Sequence, residues 1–166
     1  MDFCPMIELK INIKKSVVYN EISKISSYIG AKRIDADQKI YERVFSTEDD
    51  RELLERYWRE AKSMVLALLS RWLITTTFPE NSQTVDDAEV WSVTLIMPDA
   101  FKKELAYGID EDIHSFMINE ILFKWLAVSE PKEAEYYKAV AETKSEAITD
   151  KLLFRTRPIH VKMSVF

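Results

Sequence analysis

Chemistry at neutral pH needs a titratable or nucleophilic side chain held against its partner, and this sequence supplies few candidates. Its only histidines are His114 and His160, and its only cysteine is Cys4. A nucleophilic triad requires a base beside Ser or Cys, and no motif here suggests one. The densest group of potential ligands is Asp110-Glu111-Asp112-Ile113-His114. Acids so close to a histidine would favour its protonated form or attract a cation. A hard-metal loop, however, needs oxygens at fixed spacings around a glycine turn, and this run lacks them. It reads instead as the solvated, acidic first turn of a helix. One cysteine and two distant histidines cannot supply four zinc ligands. The sequence contains neither G-x-x-x-x-G-K-[ST] nor G-x-G-x-x-G, so no glycine-rich phosphate cradle is expected. The carboxylate pairs Glu52/Glu55 and Glu133/Glu135 fit ordinary helix surfaces. The expectation is no catalytic residue, no metal and no cofactor.

The elements around these residues are easier to read. Ile7, Leu9, Ile11 and Ile13 alternate with polar residues, so 6–13 is a strand with one buried face. Ser16 is placed to cap a helix carrying Val18, Ile22, Ile25 and Ile29, with Gly30 at its end. Residues 31–38 form a polar connection, and 39–45 a short strand. A strong amphipathic helix follows, with Thr47 and Asp50 at its start. Its stripe is Leu54, Tyr57, Trp58, Ala61, Met64, Val65, Leu68, Leu69 and Trp72. Residues 75–89 are a long polar loop. Residues 90–97 are the clearest strand, closed by Pro98 and placing Trp91, Val93, Leu95 and Met97 on one face. Asp99 is expected to cap a helix that breaks at Gly108 and restarts at Asp110, with Ile113, Phe116, Met117, Ile121, Leu122 and Trp125 as its stripe. Pro131 suits the first position of a last helix bearing Ala134, Tyr137, Val140, Ala141, Ala147, Ile148 and Leu152. Beyond Pro158, Ile159, Val161, Met163 and Val165 alternate with His160, Lys162 and Ser164, the pattern of a C-terminal strand.

These elements describe one α+β domain over residues 1–166. It is mostly helical, with four to five helices and a small sheet of terminal and central strands. An internal echo relates MVLALLSRWL (64–73) to MINEILFKWL (117–126) at an offset of 53, which also superposes strand 39–45 on 92–98. It admits a strand–helix duplication over 39–74 and 92–128. The four tryptophans, Trp58, Trp72, Trp91 and Trp125, fit the core better than an interface.

The 166-residue chain is 47% hydrophobic and 31% charged, a globular composition able to fold without disulfides. Its net charge of -5 is unevenly placed: residues 151–166 hold Lys151, Arg155, Arg157 and Lys162 with no acid, leaving -9 on residues 1–150. An acidic body argues against sequence-specific nucleic-acid binding, which uses a broad basic face. A basic end suits docking on something acidic. No signal-peptide pattern and no membrane-spanning run is apparent, so synthesis in the cytoplasm is expected.

The C-terminal half resembles a known family. The order "IMPDAF", "DIHSFMINEILFKWL" and "SEPKEAEYYKAVAETKSEAITDKLLFRTRP", over about residues 95–158, is similar to small structural proteins encoded near capsid and portal genes in phages and prophages of Bacteroides-type bacteria. The matching residues are Trp125, Leu126, Glu133, Ala134, Tyr137, Leu152, Arg155, Arg157 and Pro158; the N-terminal half carries no such likeness. The resemblance implies a non-enzymatic virion protein of the neck or tail. It would be a head-to-tail connector, ring or tail completion protein, contacting copies of itself, the portal and neighbouring neck proteins, in a ring of twelve if it sits on the portal. Terminal strands suit addition to neighbouring subunits, so the expected interface comprises Ile7, Leu9 and Ile11 at one end and Lys151, Arg155, Arg157, Ile159, Val161, Lys162 and Met163 at the other. The alternative reading is a small acidic binding or regulatory protein of phage origin.

Overall fold

Alternating isoleucines and leucines at one end of the chain and VWSVTLIM in its middle pair with each other. In a computed structural model that describes residues 6–31, 50–74 and 89–155, strand β1 (Met6–Lys14) lies antiparallel to strand β2 (Val90–Pro98). The register sets Ile7 opposite Met97, Leu9 opposite Leu95, Ile11 opposite Val93 and Ile13 opposite Trp91. Ile7, Leu9, Ile11 and Ile13 therefore share one face with Trp91, Val93, Leu95 and Met97, as a period of two demands. On the far side of β2, Leu73 forms an isolated antiparallel bridge to Leu95, with Ile96 N–H donating to Trp72 O at 2.7 Å.

Four helices accompany the sheet, α1 (Lys15–Ala31), α2 (Arg51–Leu69), α3 (Ala106–Ser129) and α4 (Pro131–Leu153), and α3 packs on β1. The protein is thus α+β and mostly helical, with a two-stranded antiparallel sheet among the described residues. The expected strands 39–45 and 159–165, the connection 32–38, the loop 75–88 and Thr47 lie outside those residues.

Helix α3 is the centre. It buries Ile109, Ile113, Phe116, Met117, Ile118, Ile121, Leu122, Trp125 and Leu126, which point in every direction around its axis. A helix apolar all round must be enclosed, and α1, α2, α4 and β1 all pack on it. α4 folds back on it through the single residue Glu130, with Pro131 beginning the new helix. The buried residues of α4 (Ala134, Ala141, Ile148, Leu152) follow near-heptad spacing, and the two alanines allow close approach. α2 buries Leu54, Trp58, Ala61, Val65 and Leu69, while Met64 of the expected stripe stays exposed. Trp58 and Trp125 are buried, and Trp72 and Trp91 pack partly buried on the core.

Three local expectations are corrected. α1 begins at Lys15, directly after β1, and Ser16 is not its cap. Instead Glu89 closes the helix start: Lys15 N–H donates to Glu89 O at 2.8 Å and Ser16 N–H to its Oε1 at 3.1 Å. Those bonds from Ser16 hold the Glu89 carboxyl below its usual range. Asp99 caps no helix; a short 3-10 turn (Lys103–Leu105) leads straight into α3, which runs through Gly108 unbroken. Gly108 marks a close approach, since a Cβ there would lie 3.3 Å from Lys151 Cε. Finally, Asp112 is no solvated first-turn acid. It is 6% exposed, and its carboxylate accepts hydrogen bonds from Lys144 (2.9 Å) and Lys151 of α4.

The echoed segments differ in structure. α2 ends at Leu69, so Trp72 and Leu73 lie in a turn and a bridge, whereas Trp125 and Leu126 lie within α3.

Burial alone would raise the Asp112 carboxyl; the ammonium groups of Lys151 and Lys144 outweigh it and hold that carboxyl below the usual range. A depressed carboxyl contributes stability above its unfolded value, near pH 4, and loses it as pH falls through the folded value. Both lysines are partly exposed, which weakens the pair relative to a fully buried one. Asp112→Asn is expected to destabilise the fold by about 1–3 kcal/mol at pH 7, measured by urea denaturation. The gap to the unmodified protein should narrow as the pH is lowered below 4.

Candidate functional site

The clearest unfilled valence of the described structure is on the backbone of β1. In an antiparallel ladder, alternate residues turn both N–H and C=O toward the partner and the others turn them away. Two contacts fix the parity. Ile96 and Thr94 of β2 bond outward to Trp72 and Ile74, so Glu8 and Lys10, which face them in the register, also bond outward. Asn12, opposite Ser92 in the register, has the same parity, and its N–H is among the groups that lower the Asp110 carboxyl. From Met6 to Lys10, by contrast, no described residue takes up the outward donors and acceptors. This five-residue edge is about 17 Å long.

A groove of about 410 Å³ runs beside that edge, lined by Met6, Ile7, Glu8, Leu9, Phe101 and Ala106, with Lys103 at its rim. The beginning of α3 and the end of α4 meet at this end of the molecule. Phe101 forms an antiparallel bridge with Arg155, just past α4. Large apolar side chains are exposed nearby in sequence: Met6 (65%), Tyr107 (74%), Leu153 and Phe154.

The residues expected to contact partners fall into three groups. Ile11 is buried, and Ile7 and Leu9 pack partly buried on the subunit's own core. What they offer outward is backbone, not side chain. Lys151 pairs with Asp112, and Arg155 Nη1 donates to the carbonyls of Leu152 (2.7 Å) and Phe154 (2.8 Å). Arg157, Ile159, Val161, Lys162 and Met163 lie outside the described residues. The structure thus brings the start of β1 and the exit of α4 to one place. Alternation could mark the faces of β1 but not its free edge, because strand order depends on pairing across more than eighty residues.

The DEDIH run divides by role. Glu111 is exposed and Asp112 is paired with two lysines. Asp110 and His114 line a cavity of about 200 Å³ with Asn12, Ile13, Lys14 and Val17. Burial, with the neighbouring Glu111 charge, pushes the Asp110 carboxyl up, opposed by the Asn12 N–H and by His114. Among the described residues no group of three or more His, Cys, Asp or Glu side chains is arranged to hold a metal ion, and no helix is long and apolar enough to cross a membrane.

No protein-family model matches this chain, and no curated protein or solved structure matches it either.

The two carboxylates should respond oppositely to neutralisation. A carboxyl raised on folding favours the native state at low pH and loses that contribution as pH rises through its folded value. Asp110→Asn should therefore leave thermal stability at pH 7 unchanged or higher, still accepting the Asn12 N–H. Any gain should shrink at pH 4, a comparison that scanning calorimetry at the two values can make.

Proposed function

We propose that this protein is a structural subunit of a phage virion, a head-to-tail connector or ring component that assembles on the portal and tail. One observation carries the reading: β1 presents an edge with no backbone partner among the described residues, and a groove, at the same end of the molecule where the chain leaves α4. An exposed strand edge is a pairing surface that monomeric proteins usually cover, shorten or charge. The neighbouring exposed Met6, Tyr107, Leu153 and Phe154 add apolar area of the kind that subunit contacts bury. The phage setting comes from the resemblance of residues 95–158. Its apolar members have clear work in the body: Trp125, Leu126, Ala134 and Leu152 are core residues of the α3–α4 hairpin. Arg155, from its basic close, stands at the proposed contact.

Ring assembly uses head-to-tail contacts, in which one surface of a subunit meets a different surface of the next. The charge distribution suits such a contact, with -9 on residues 1–150 and +4 on residues 151–166. On this reading the protein performs no chemistry; its work is adhesion in a fixed geometry.

Native mass spectrometry and negative-stain imaging of the full chain, alone and with the portal protein, test the reading. Closed rings are expected, with a salt-dependent mass distribution if the basic end contributes. A strict monomer that remains monomeric beside the portal contradicts it.

A further inference from the structure

We propose that Asp110 and His114 hold one divalent transition-metal ion of the zinc class in the cavity they line on the first turns of α3. The site stands apart from the assembly reading above and does not depend on it.

Two polar atoms carry the argument. Buried polar atoms in folded proteins are nearly always hydrogen-bonded, and each exception calls for an explanation, an ion among them. Among the described residues Asp110 Oδ1 and His114 Nε2 are buried with no hydrogen-bond partner, so they do not bond each other either. The other buried side-chain atoms of this kind are the hydroxyls of Tyr19 and Ser26 on α1 and of Ser129 at the end of α3. A hydroxyl turns to suit its surroundings, whereas a carboxylate oxygen and an imidazole nitrogen belong to rigid planar groups. Of these five residues, Asp110 and His114 alone line the cavity of about 200 Å³ between β1, α1 and α3.

Position brings the two together. Four residues apart on a helix, their side chains rise from one face, about 5–6 Å apart at Cβ. Zinc takes a carboxylate oxygen or an imidazole nitrogen at about 2.0–2.2 Å, so one ion between them would satisfy both atoms. The helix that carries them is held by α1, α2, α4 and β1, and donors on a fixed helix keep their spacing better than donors on loops. The donor types select the ion. One imidazole with one carboxylate suits zinc, cobalt(II) or nickel(II), while calcium and magnesium favour all-oxygen shells. Two protein donors are fewer than a closed structural zinc site uses, so water completes the shell and the ion is exchangeable. Lys14 also lines the cavity, but its side chain is exposed and carries the ammonium toward water. Glu111, exposed beside the pair, adds negative charge.

Isothermal titration of the full chain with ZnCl2 tests this. Asp110→Asn and His114→Gln are compared with a Cys4→Ser/His160→Gln variant, which lacks the only cysteine and the other histidine. Losing an outer-shell partner of a metal ligand costs about 10–100-fold in affinity. Each α3 substitution removes a ligand itself and should weaken binding more than about tenfold, while the Cys4→Ser/His160→Gln variant binds like the unmodified chain. Circular dichroism checks that each variant folds. Where one does not, Co2+ added to the unmodified chain gives a second measurement: it should broaden the nuclear magnetic resonance signals of the His114 imidazole. The proposal is overturned if ZnCl2 does not bind, which would mark an ordinary hydrated cleft. It is also overturned if binding survives either α3 substitution, if the Cys4→Ser/His160→Gln variant loses it, or if Co2+ leaves the His114 signals sharp.

Discussion

A helix without a polar side has to be surrounded, and the rest of this structure follows from that requirement. α3 is apolar around its full circumference. At about 1.5–3 kcal/mol for each large side chain taken out of water, its burial dominates the stability of the body. No single neighbour could cover it. The sheet takes one side, α1 and α2 others, and α4 folds back along the remainder. Two of the acids in α3 are then answered by lysines. Asp112 meets Lys144 and Lys151 of α4, while Glu120 shares Lys124 with Glu60 of α2. A second crosslink of the same kind, Lys15 to Glu55, ties α1 to α2 beside the edge-on pair Tyr19–Trp58. These contacts orient the covering helices around a core whose energy is apolar.

Enclosing α3 leaves the sheet small. Two strands and a bridge suffice to cover one side of a helix, and among the described residues β1 then lies at an edge. The first turns of α3 bring Asp110 to the cavity beside Asn12 at one end of that edge. The remainder lies beside a groove at the end where α4 finishes. Among the described residues the core is thus closed while the sheet has a free edge. That division suits a subunit that folds alone and then joins others.

Much of this was legible from local pattern, and the failures share a cause. Period-two alternation located β1 and β2 within a residue, and apolar spacing located α2 and α4, because each of those elements buries one face only. α3 is the exception. Its residues are apolar on all sides, so periodicity could show a helix but not its length, and Gly108 suggested a break where the structure has a close approach of Lys151. Asp112 looked solvated for a similar reason: its partners sit 32 and 39 residues away, and no local rule sees them. The cap on α1 comes from Glu89, 73 residues from Ser16. The open edge is the same kind of fact, set by which strands pair.

The proposal that subunits join through β1 turns on the Glu8 and Lys10 amides, which have no partner among the described residues. Residue-resolved hydrogen exchange, in dilute monomer and in assembled protein, measures this directly. The account predicts fast exchange at Glu8 and Lys10 in the monomer and strong protection on assembly, with Leu9 and Ile11 slow in both. Protection of Glu8 and Lys10 already present in the monomer would contradict it.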